Sequence, residues 1–512
     1  MEPTPATGDA ASPSLHGRVP PELSRFLAGP GAKTLTVRGP PGAGKTTVAL
    51  ALLDQFEGYR AYISARVPRE SIVRDHPWLA GFGRHGIEVI ELLRFRGGAA
   101  AGLQVGRLRD ALEDRASDLV DLSTILSLPK ELEESLASHA AEPRFVTIDS
   151  WEAWVENLLG PTPFALDVPT TRWELERSLL DRFREAGVHV LLVVEREERA
   201  RLDYVTDGAL SLTVSEADGR AQRWLSYQKL RGVRLGSISY PFTLDGGRFQ
   251  CVLPAPFHAR IAPIPDEPDP GPGTPGIWPG STSLAVRFGR LAVPGATLLE
   301  ADSETPARLL WRLVVPAILS SLRAGGRVVV RPPSSLSNGE VWESMGAAGD
   351  ATALSRSLRV LTSAPPGPTP GIPDGVFGAG PGEDPEAGRP TVADLAASRF
   401  FEDATASPPR SLLVLFLDSP FDPPGSPGTL ESLLGLAGAA HRSEVVANVF
   451  VSRTDHPSIE AIRARSAVHL LVRASRGQFF VTGVRPWTPH FVIGRAPAAR
   501  ETTVPYELVP IV

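Results

Sequence analysis

The strongest constraint on the fold is a glycine-rich stretch near the start of the chain that matches the pattern G-x-x-x-x-G-K-[ST]. Glycines at this spacing let backbone N–H groups turn inward around a polyphosphate, at a helix N-terminus whose dipole already favours anions. In such a loop the lysine reaches the β- and γ-phosphates, and the hydroxyl after it is placed on Mg²⁺. The residues of this predicted phosphate-binding loop, or P-loop, are Gly39, Pro40, Pro41, Gly42, Ala43, Gly44, Lys45, Thr46 and Thr47.

The flanks of the loop have the order that this chemistry requires. Residues 34–37 are predicted to be a short buried strand, and residues 47–53 a helix with an apolar stripe. Lysine usage supports the assignment, because the chain has 52 Lys+Arg but its lysines are only Lys33, Lys45, Lys130 and Lys229. A lysine that remains is a candidate for a position that needs a compact ammonium group.

A second element of the predicted site is the apolar run at residues 145–150, which includes Asp149 at its end. An acid at the end of a buried strand beside a P-loop is typical of a Walker B element, and in that role Asp149 would hold the Mg²⁺ shell. Taken alone, the run is equally compatible with a strand that ends in a turn aspartate. The P-loop upstream favours the Walker B interpretation.

Composition limits the class of protein. With 512 residues and 42% hydrophobic content, the chain is long enough for two or three domains with apolar cores. The net charge of −6, with both signs mixed along the chain, predicts no broad basic surface for nucleic acid. The single cysteine, Cys251, fits a reducing cytosol and is predicted to be a buried small hydrophobe. We find no signal peptide and no membrane span in the pattern and expect a cytoplasmic protein.

The first half of the chain alternates between predicted strands and helices, which indicates a parallel sheet covered by helices. Residues 1–19 are expected to be disordered, and a short helix is expected at residues 20–28. Further helices are predicted at residues 103–122 and 173–186, and strands at residues 59–64, 87–92, 188–194, 209–214, 223–229 and 240–244. The last three strands are predicted to be antiparallel and to extend one side of the sheet.

Several segments resemble the C-terminal signature of RecA-superfamily ATPases of the KaiC kind: residues 207–212, 219–220, 228–232 and 240–244, with Gly247 after them. Together with the P-loop and residues 145–150, this resemblance covers about residues 20–252. Within the superfamily, residues 62–67 followed by residues 76–79 look most like the gas-vesicle regulatory protein GvpD and its archaeal ATPase relatives.

The resemblance implies an α/β, RecA-like fold with a mostly parallel sheet, and ATP with Mg²⁺ at the P-loop. It also implies a Lys-x-Arg pair on a late strand that reaches the nucleotide of a neighbouring subunit. Lys229 and Arg231 occupy that pattern, and alternation along a strand would put both side chains on one face. The alternative is an exposed basic face on an edge strand.

The chain departs from the KaiC pattern at one functional position. Proteins of that kind carry a glutamate at the end of the strand after the P-loop helix, to orient the attacking water, whereas this chain has Arg66 there, after Ser64 and Ala65. Glu70, Glu152 and Glu195 lie near the ends of the relevant strands and are candidates to replace it. Without such a base, binding would persist while hydrolysis is slow.

The second half repeats the outline of the first without its P-loop. Residues 254–283 are predicted to be a Pro/Gly-rich linker, and residues 364–390 a disordered insert. Predicted elements at residues 296–300, 307–322, 327–332, 412–419, 445–452 and 467–486 parallel those of the first half. The loop equivalent at residues 301–306 has no glycine, no lysine and two acids, so it is predicted not to bind a polyphosphate. We expect residues 20–253 to form an ATPase domain and residues 284–512 a degenerate RecA-like domain, a different α/β domain being the alternative.

Three functions fit these patterns. The first is an ATP-binding regulatory switch, with slow or partner-stimulated hydrolysis, that acts on a protein partner or by self-association. The second is a DNA-associated RecA-like motor or recombination ATPase, and the third a scaffold that binds ATP without hydrolysing it. No basic-aromatic groove for DNA is predicted, which favours the switch over the motor. The sequence does not identify the partner.

Overall fold

The computed structural model describes residues 19–79, 86–91, 130–159, 169–195, 202–255, 269–271, 274, 276–293, 295–345, 351–362, 376–379, 400–401, 411–417, 438, 446–495 and 506–512. The chain divides into two compact units. The first runs to Leu253 and includes Ile511–Val512, and the second is Pro254–Pro510. The predicted helix at residues 103–122, the predicted disordered residues 1–18 and most of the predicted insert at residues 364–390 lie outside the described residues.

The first unit is built on a sheet of nine strands in the order β3-β2-β4-β5-β1-β6-β7-β8-β9. Strands β1 to β6 pair with one another in parallel, and β7, β8 and β9 follow β6 in antiparallel pairs. The strands are β1 Thr34–Arg38, β2 Tyr59–Ser64, β3 Ile87–Glu91, β4 Arg144–Asp149, β5 Val188–Val193, β6 Gly208–Ala217, β7 Arg220–Leu230, β8 Ser239–Thr243 and β9 Gln250–Cys251.

Helices cover both faces of this sheet, as parallel strands require. The described helices of the unit are α1 Pro21–Leu27, α2 Lys45–Gln55, α3 Arg69–Asp75, α4 Lys130–Ser138, α5 Trp151–Leu159, α6 Pro169–Glu185 and α7 Leu202–Val205. One apolar cluster joins α2 to residues such as Leu35 and Val37, and a second joins Ile148 to Trp154 and Phe183. All five residues of β1 are buried, so the P-loop that follows it starts from a fixed strand end.

The second unit contains a ten-stranded sheet in the order β13-β12-β11-β14-β15-β10-β16-β17-β18-β19. With β13 set aside, this is the order of the first sheet strand for strand, with β10 in the place of β1. The predicted repeat of a RecA-like fold is therefore confirmed. The strands are β10 Gly295–Ala301, β11 Val328–Arg331, β12 Leu358–Thr362, β13 Phe377–Ala379, β14 Ser411–Phe416, β15 Val446–Arg453, β16 Val468–Ser475, β17 Gln478–Arg485, β18 His490–Arg495 and β19 Tyr506–Pro510.

Two composition-based expectations do not hold for the described residues of this unit. Within the predicted linker, Ile277 and Trp278 are buried and Ile277 pairs with Leu291, because this segment lies against the second core. Within the predicted disordered insert, β13 pairs in parallel with β12. The described helices are α8 Thr282–Phe288, α9 Ala307–Arg323, α10 Asn338–Met345, α11 Ala351–Ser357 and α12 Ile459–Arg465. Among the described residues, no helix has both the length and the apolar character that crossing a membrane takes.

A buried charged network ties β10 to its neighbours. The Glu300 carboxylate is almost fully buried and accepts hydrogen bonds from Arg463 Nε at 2.8 Å and Nη2 at 2.5 Å. His469 Nε2 lies 2.8 Å from the same carboxylate. Burial alone would raise the pKa of Glu300, but the hydrogen bonds and charges of His469 and Arg463 outweigh it and lower the pKa from 4.5 to about 2.

We predict that Glu300→Gln lowers the free energy of unfolding at neutral pH by about 1–3 kcal/mol, because charge-assisted bonds are lost and Arg463 loses a buried partner. A carboxyl whose pKa is lowered by folding stabilises the protein above its unfolded pKa. The difference between wild type and variant should therefore shrink as the pH falls from 4.5 towards about 2. Urea unfolding across this range measures it.

The matched control is Glu460→Gln, since Glu460 also pairs with Arg463 but is 80% exposed. Its effect should stay within about 0.5 kcal/mol. A Glu300→Gln protein as stable as this control at neutral pH would contradict the prediction.

Candidate functional site

The P-loop connects the end of β1 to the start of α2, and its backbone needs glycine at specific positions. Gly44, which caps α2, has φ 96°, a left-handed conformation that residues with a Cβ avoid. At Gly39 a Cβ would lie 2.6 Å from the carbonyl oxygen of Leu212 on β6, so a side chain there would push the loop away from the sheet. The glycines at the two ends of the motif thus allow its close approach to β6 and its turn into α2.

Lys45 lies across this loop. Its Nζ donates to the carbonyl oxygens of Gly39 at 2.6 Å and Pro40 at 3.2 Å, and the side chain is half-buried. The ammonium group is therefore held over the loop by backbone dipoles at the place where the sequence predicts phosphate. Arg223 on β7 adds a second contact, from its Nη1 to the carbonyl oxygen of Gly42 at 3.1 Å.

Asp149 ends β4 beside the start of α2, as the Walker B interpretation expects. Its Oδ2 accepts hydrogen bonds from Thr46 Oγ1 at 2.6 Å and from the hydroxyl of Tyr62 at 2.6 Å. Burial raises the pKa of Asp149, while the hydrogen bonds of Thr46 and Tyr62 and the charge of Lys45 oppose that shift without cancelling it. The carboxyl is hydrogen-bonded, and in the part of the chain that the structure describes no cationic side chain forms an ion pair with it.

Tyr62 is a site residue that sequence reasoning missed. It lies on β2 in register with Thr147 on β4, so its side chain shares a face with Asp149 two residues further along. Burial raises the pKa of Tyr62 well above its usual value, so the hydroxyl stays a donor. In the sequence, Tyr62 stood out only as the first residue of the segment that resembles GvpD, two residues before the end of β2. A role at the site follows only once β2 and β4 are known to be neighbours.

The candidates for a general base are also located at this edge. Glu195 follows β5, and its Oε1 lies 2.5 Å from Nη1 of Arg66, the residue that replaces the expected glutamate. The buried Glu152 carboxylate accepts from the backbone N–H of Glu195, with 3.2 Å to each oxygen. Glu70 is exposed on α3. Glu195 and Glu152 are thus brought together with Arg66, and each already has a partner.

Lys229 and Arg231 lie on another side of the loop. Lys229 Nζ donates to the carbonyl oxygen of Asp203 at 2.8 Å and to that of Thr206, and burial lowers its pKa. Arg231 follows the last residue of β7 and lies 3.5 Å from Asp207. Both residues line a cavity of about 830 Å³ whose wall includes Gly39 at the start of the P-loop.

The equivalent loop of the second unit is closed by its own side chains. Asp302 Oδ1 accepts from the N–H of Thr305 at 2.8 Å and from its hydroxyl at 2.6 Å. Arg453 donates to the carbonyl oxygens of Asp302 at 2.5 Å and Thr305 at 2.7 Å. The Asp302 carboxylate therefore accepts the hydrogen bond of a loop amide that a P-loop would offer to phosphate. This contact supports the prediction that the loop does not bind nucleotide.

The first unit is a RecA-like P-loop domain. It has the strand order of that class, a glycine-rich loop between a strand and a helix, and an acid at the end of a nearby strand. Residues 23–228 match the family model described as GvpD gas vesicle protein, P-loop domain. The chain is 30% identical over 358 residues to Protein GvpD2 of Halobacterium salinarum, an alignment that covers 66% of each chain. It is 31% identical over 242 residues to Protein GvpD1 of the same organism, covering 46% of this chain and 41% of GvpD1. The chain therefore contains a GvpD-like P-loop domain, and it spans slightly less than two thirds of the length of GvpD2.

Proposed function

We propose that the protein is a cytoplasmic, ATP-binding regulatory switch with slow intrinsic hydrolysis. The observation that carries the proposal is the 2.6 Å contact between Thr46 Oγ1 and Asp149 Oδ2. This contact brings together a hydroxyl and a carboxylate, the oxygen donors that Mg²⁺ prefers, next to the ammonium group of Lys45. A Mg²⁺ ion held by Thr46 and Asp149 would supply positive charge that stabilises the phosphate groups during hydrolysis.

In this proposal the residues of the chain bind and orient the nucleotide. The amides of residues 42–47 and the helix N-terminus hold the phosphates, and Lys45 moves from the loop carbonyls to the β- and γ-oxygens. Thr46 and Asp149 hold the Mg²⁺ shell, while Tyr62 fixes the orientation of the carboxylate. Slow hydrolysis is expected because Arg66 stands where proteins of the KaiC kind carry the glutamate that orients the attacking water, and the Glu152 carboxylate is engaged by the Glu195 amide.

The regulatory part of the proposal rests on the similarity to GvpD proteins. A nucleotide that changes the first unit can act on a protein partner or on another copy of the chain. Lys229 and Arg231 are proposed to contact the nucleotide of a neighbouring copy, as the resemblance to KaiC-like ATPases implies. The cavity that they line also includes Gly39 of their own P-loop, so contact with their own nucleotide is the alternative. DNA-stimulated turnover with a steep salt dependence would favour a motor instead, and binding without any turnover would favour a scaffold.

We predict that Lys45→Ala weakens ATP binding at least about 100-fold, because a charge-assisted phosphate contact is lost. Isothermal titration calorimetry on the full chain measures the affinity. Lys33→Ala is the matched control, since Lys33 precedes β1 and donates to the carbonyl oxygen of Pro30, and it should bind ATP as wild type does. Residual tight binding in Lys45→Ala would place a nucleotide elsewhere, including in the second unit, and would contradict the proposal.

We predict that Asp149→Asn weakens ATP binding in Mg²⁺ more than in EDTA. The amide keeps an acceptor for Thr46 and Tyr62 but removes the negative charge that holds the cation. Titrations of the same variant with and without Mg²⁺ give the two ratios to wild type. Equal ratios with and without Mg²⁺ would show that Asp149 does not hold the Mg²⁺ ion.

We predict that Lys229→Ala still binds ATP but hydrolyses it more slowly than wild type. If the contact acts between copies, a mixture of Lys229→Ala and Lys45→Ala proteins should regain part of the activity, because one copy supplies an intact P-loop and the other an intact Lys229. A coupled phosphate-release assay measures it. No gain in the mixture, with both variants folded by circular dichroism, would rule out action between copies.

A further inference from the structure

Arg66 and Glu195 form an ion pair that is partly exposed to solvent. Arg66 is 48% exposed and Glu195 is 39% exposed, and the two atoms in contact are 2.5 Å apart. An exposed pair of this kind contributes only about 0–1 kcal/mol, because water screens it and two side chains must be ordered. Its partners are therefore easily exchanged for a stronger ligand.

The pair lies at the predicted phosphate end of the site. The backbone N–H of Ala65, which precedes Arg66, donates to the carbonyl oxygen of Asp149 at 2.8 Å. Burial is the main cause of the raised pKa of Asp149, and the negative charge of Glu195 adds to it, so that charge acts directly on the carboxyl that contacts Thr46. Thr46 thus contacts the Asp149 side chain, and the backbone of Asp149 contacts the turn that carries Arg66, the partner of Glu195.

The backbones that carry the two partners are both held, so an exchange of partner takes place through the side chains, of which the arginine is the longer. The backbone of Glu195 is held by the buried Glu152 carboxylate. The turn that carries Arg66 is held at its base, where Ser64 Oγ accepts from the N–H of Val67 at 3.2 Å and donates to its carbonyl oxygen at 2.5 Å. A long guanidinium side chain thus extends from a fixed turn and is restrained at its tip by Glu195 alone among the contacts described above.

We propose that Arg66 is a sensor of the γ-phosphate of ATP. Without a triphosphate, Glu195 holds the guanidinium. A bound γ-phosphate offers more negative charge and three acceptor oxygens in a geometry that suits the planar guanidinium, and it takes Arg66 from Glu195. ADP lacks this group, so the pair persists in the ADP state. The inference rests on the proposed ATP binding, and the release of Glu195 is then the local signal that distinguishes the two nucleotides.

The experiment compares the affinities of a non-hydrolysable ATP analogue and of ADP, both with Mg²⁺, by calorimetry on the full chain. Arg66→Ala should leave the ADP affinity unchanged and reduce the ratio of analogue to ADP affinity about tenfold, the value of one net charge-assisted bond. Glu195→Gln should raise the same ratio by up to about fivefold, because the competing carboxylate is gone. A general loss of stability would weaken the binding of both nucleotides, so it would not change the analogue-to-ADP ratio in opposite directions in the two variants.

Arg74→Ala is the matched control. Arg74 is an exposed arginine on the following helix, paired with Asp75, and its loss should leave the ratio unchanged. An unchanged ratio in both Arg66→Ala and Glu195→Gln, with nucleotides still bound, would overturn this inference alone. Equal loss of both nucleotides in Arg66→Ala would also overturn it. A wild-type chain that binds neither nucleotide would overturn the proposed function and this inference with it.

Discussion

The hydrogen bonds to the half-buried Asp149 carboxylate join the three elements on which the site depends. A charge taken out of water is costly unless it is hydrogen-bonded. Here the bonds come from Thr46 at the start of α2 and from Tyr62 on β2, so strand, helix and neighbouring strand are held through one oxygen atom. Both donors are neutral hydroxyls, which satisfy the oxygen without balancing its charge. The site thus retains a net attraction for a cation, and the packing of α2 against the sheet keeps that attraction beside the P-loop.

The two units show how one strand order supports opposite chemistry at the same position. In the first unit the loop after the central strand contains three glycines, and Lys45 contacts its carbonyl oxygens. In the second unit the corresponding loop is held by Asp302 within and by Arg453 from β15. The fold therefore fixes where the loop lies, and a few side chains decide whether its amides face a ligand or a carboxylate of the loop itself.

The sequence predicts those parts of the site that are contiguous along the chain. The P-loop with its strand and helix, and Asp149 at the end of β4, follow from local pattern, and the repeat of the second half follows from hydrophobic periodicity. Tyr62 and Asp149 are 87 residues apart, and Arg66 and Glu195 are 129 apart, so their contacts depend on which strands are neighbours. The assignment of Ile277 to a linker was wrong because proline and glycine content does not reveal its pairing with Leu291.

The scarcity of lysine has a practical consequence for chemistry on the folded chain. Side-chain primary amines are present only at Lys33, Lys45, Lys130 and Lys229, so an amine-selective reagent meets very few competing nucleophiles. Lys45 donates to two carbonyl oxygens and Lys229 to two others, and these hydrogen bonds must break before either amine can attack a reagent. Covalent labelling of the intact chain, followed by mass analysis, therefore gives a nearly background-free record of how often the P-loop opens.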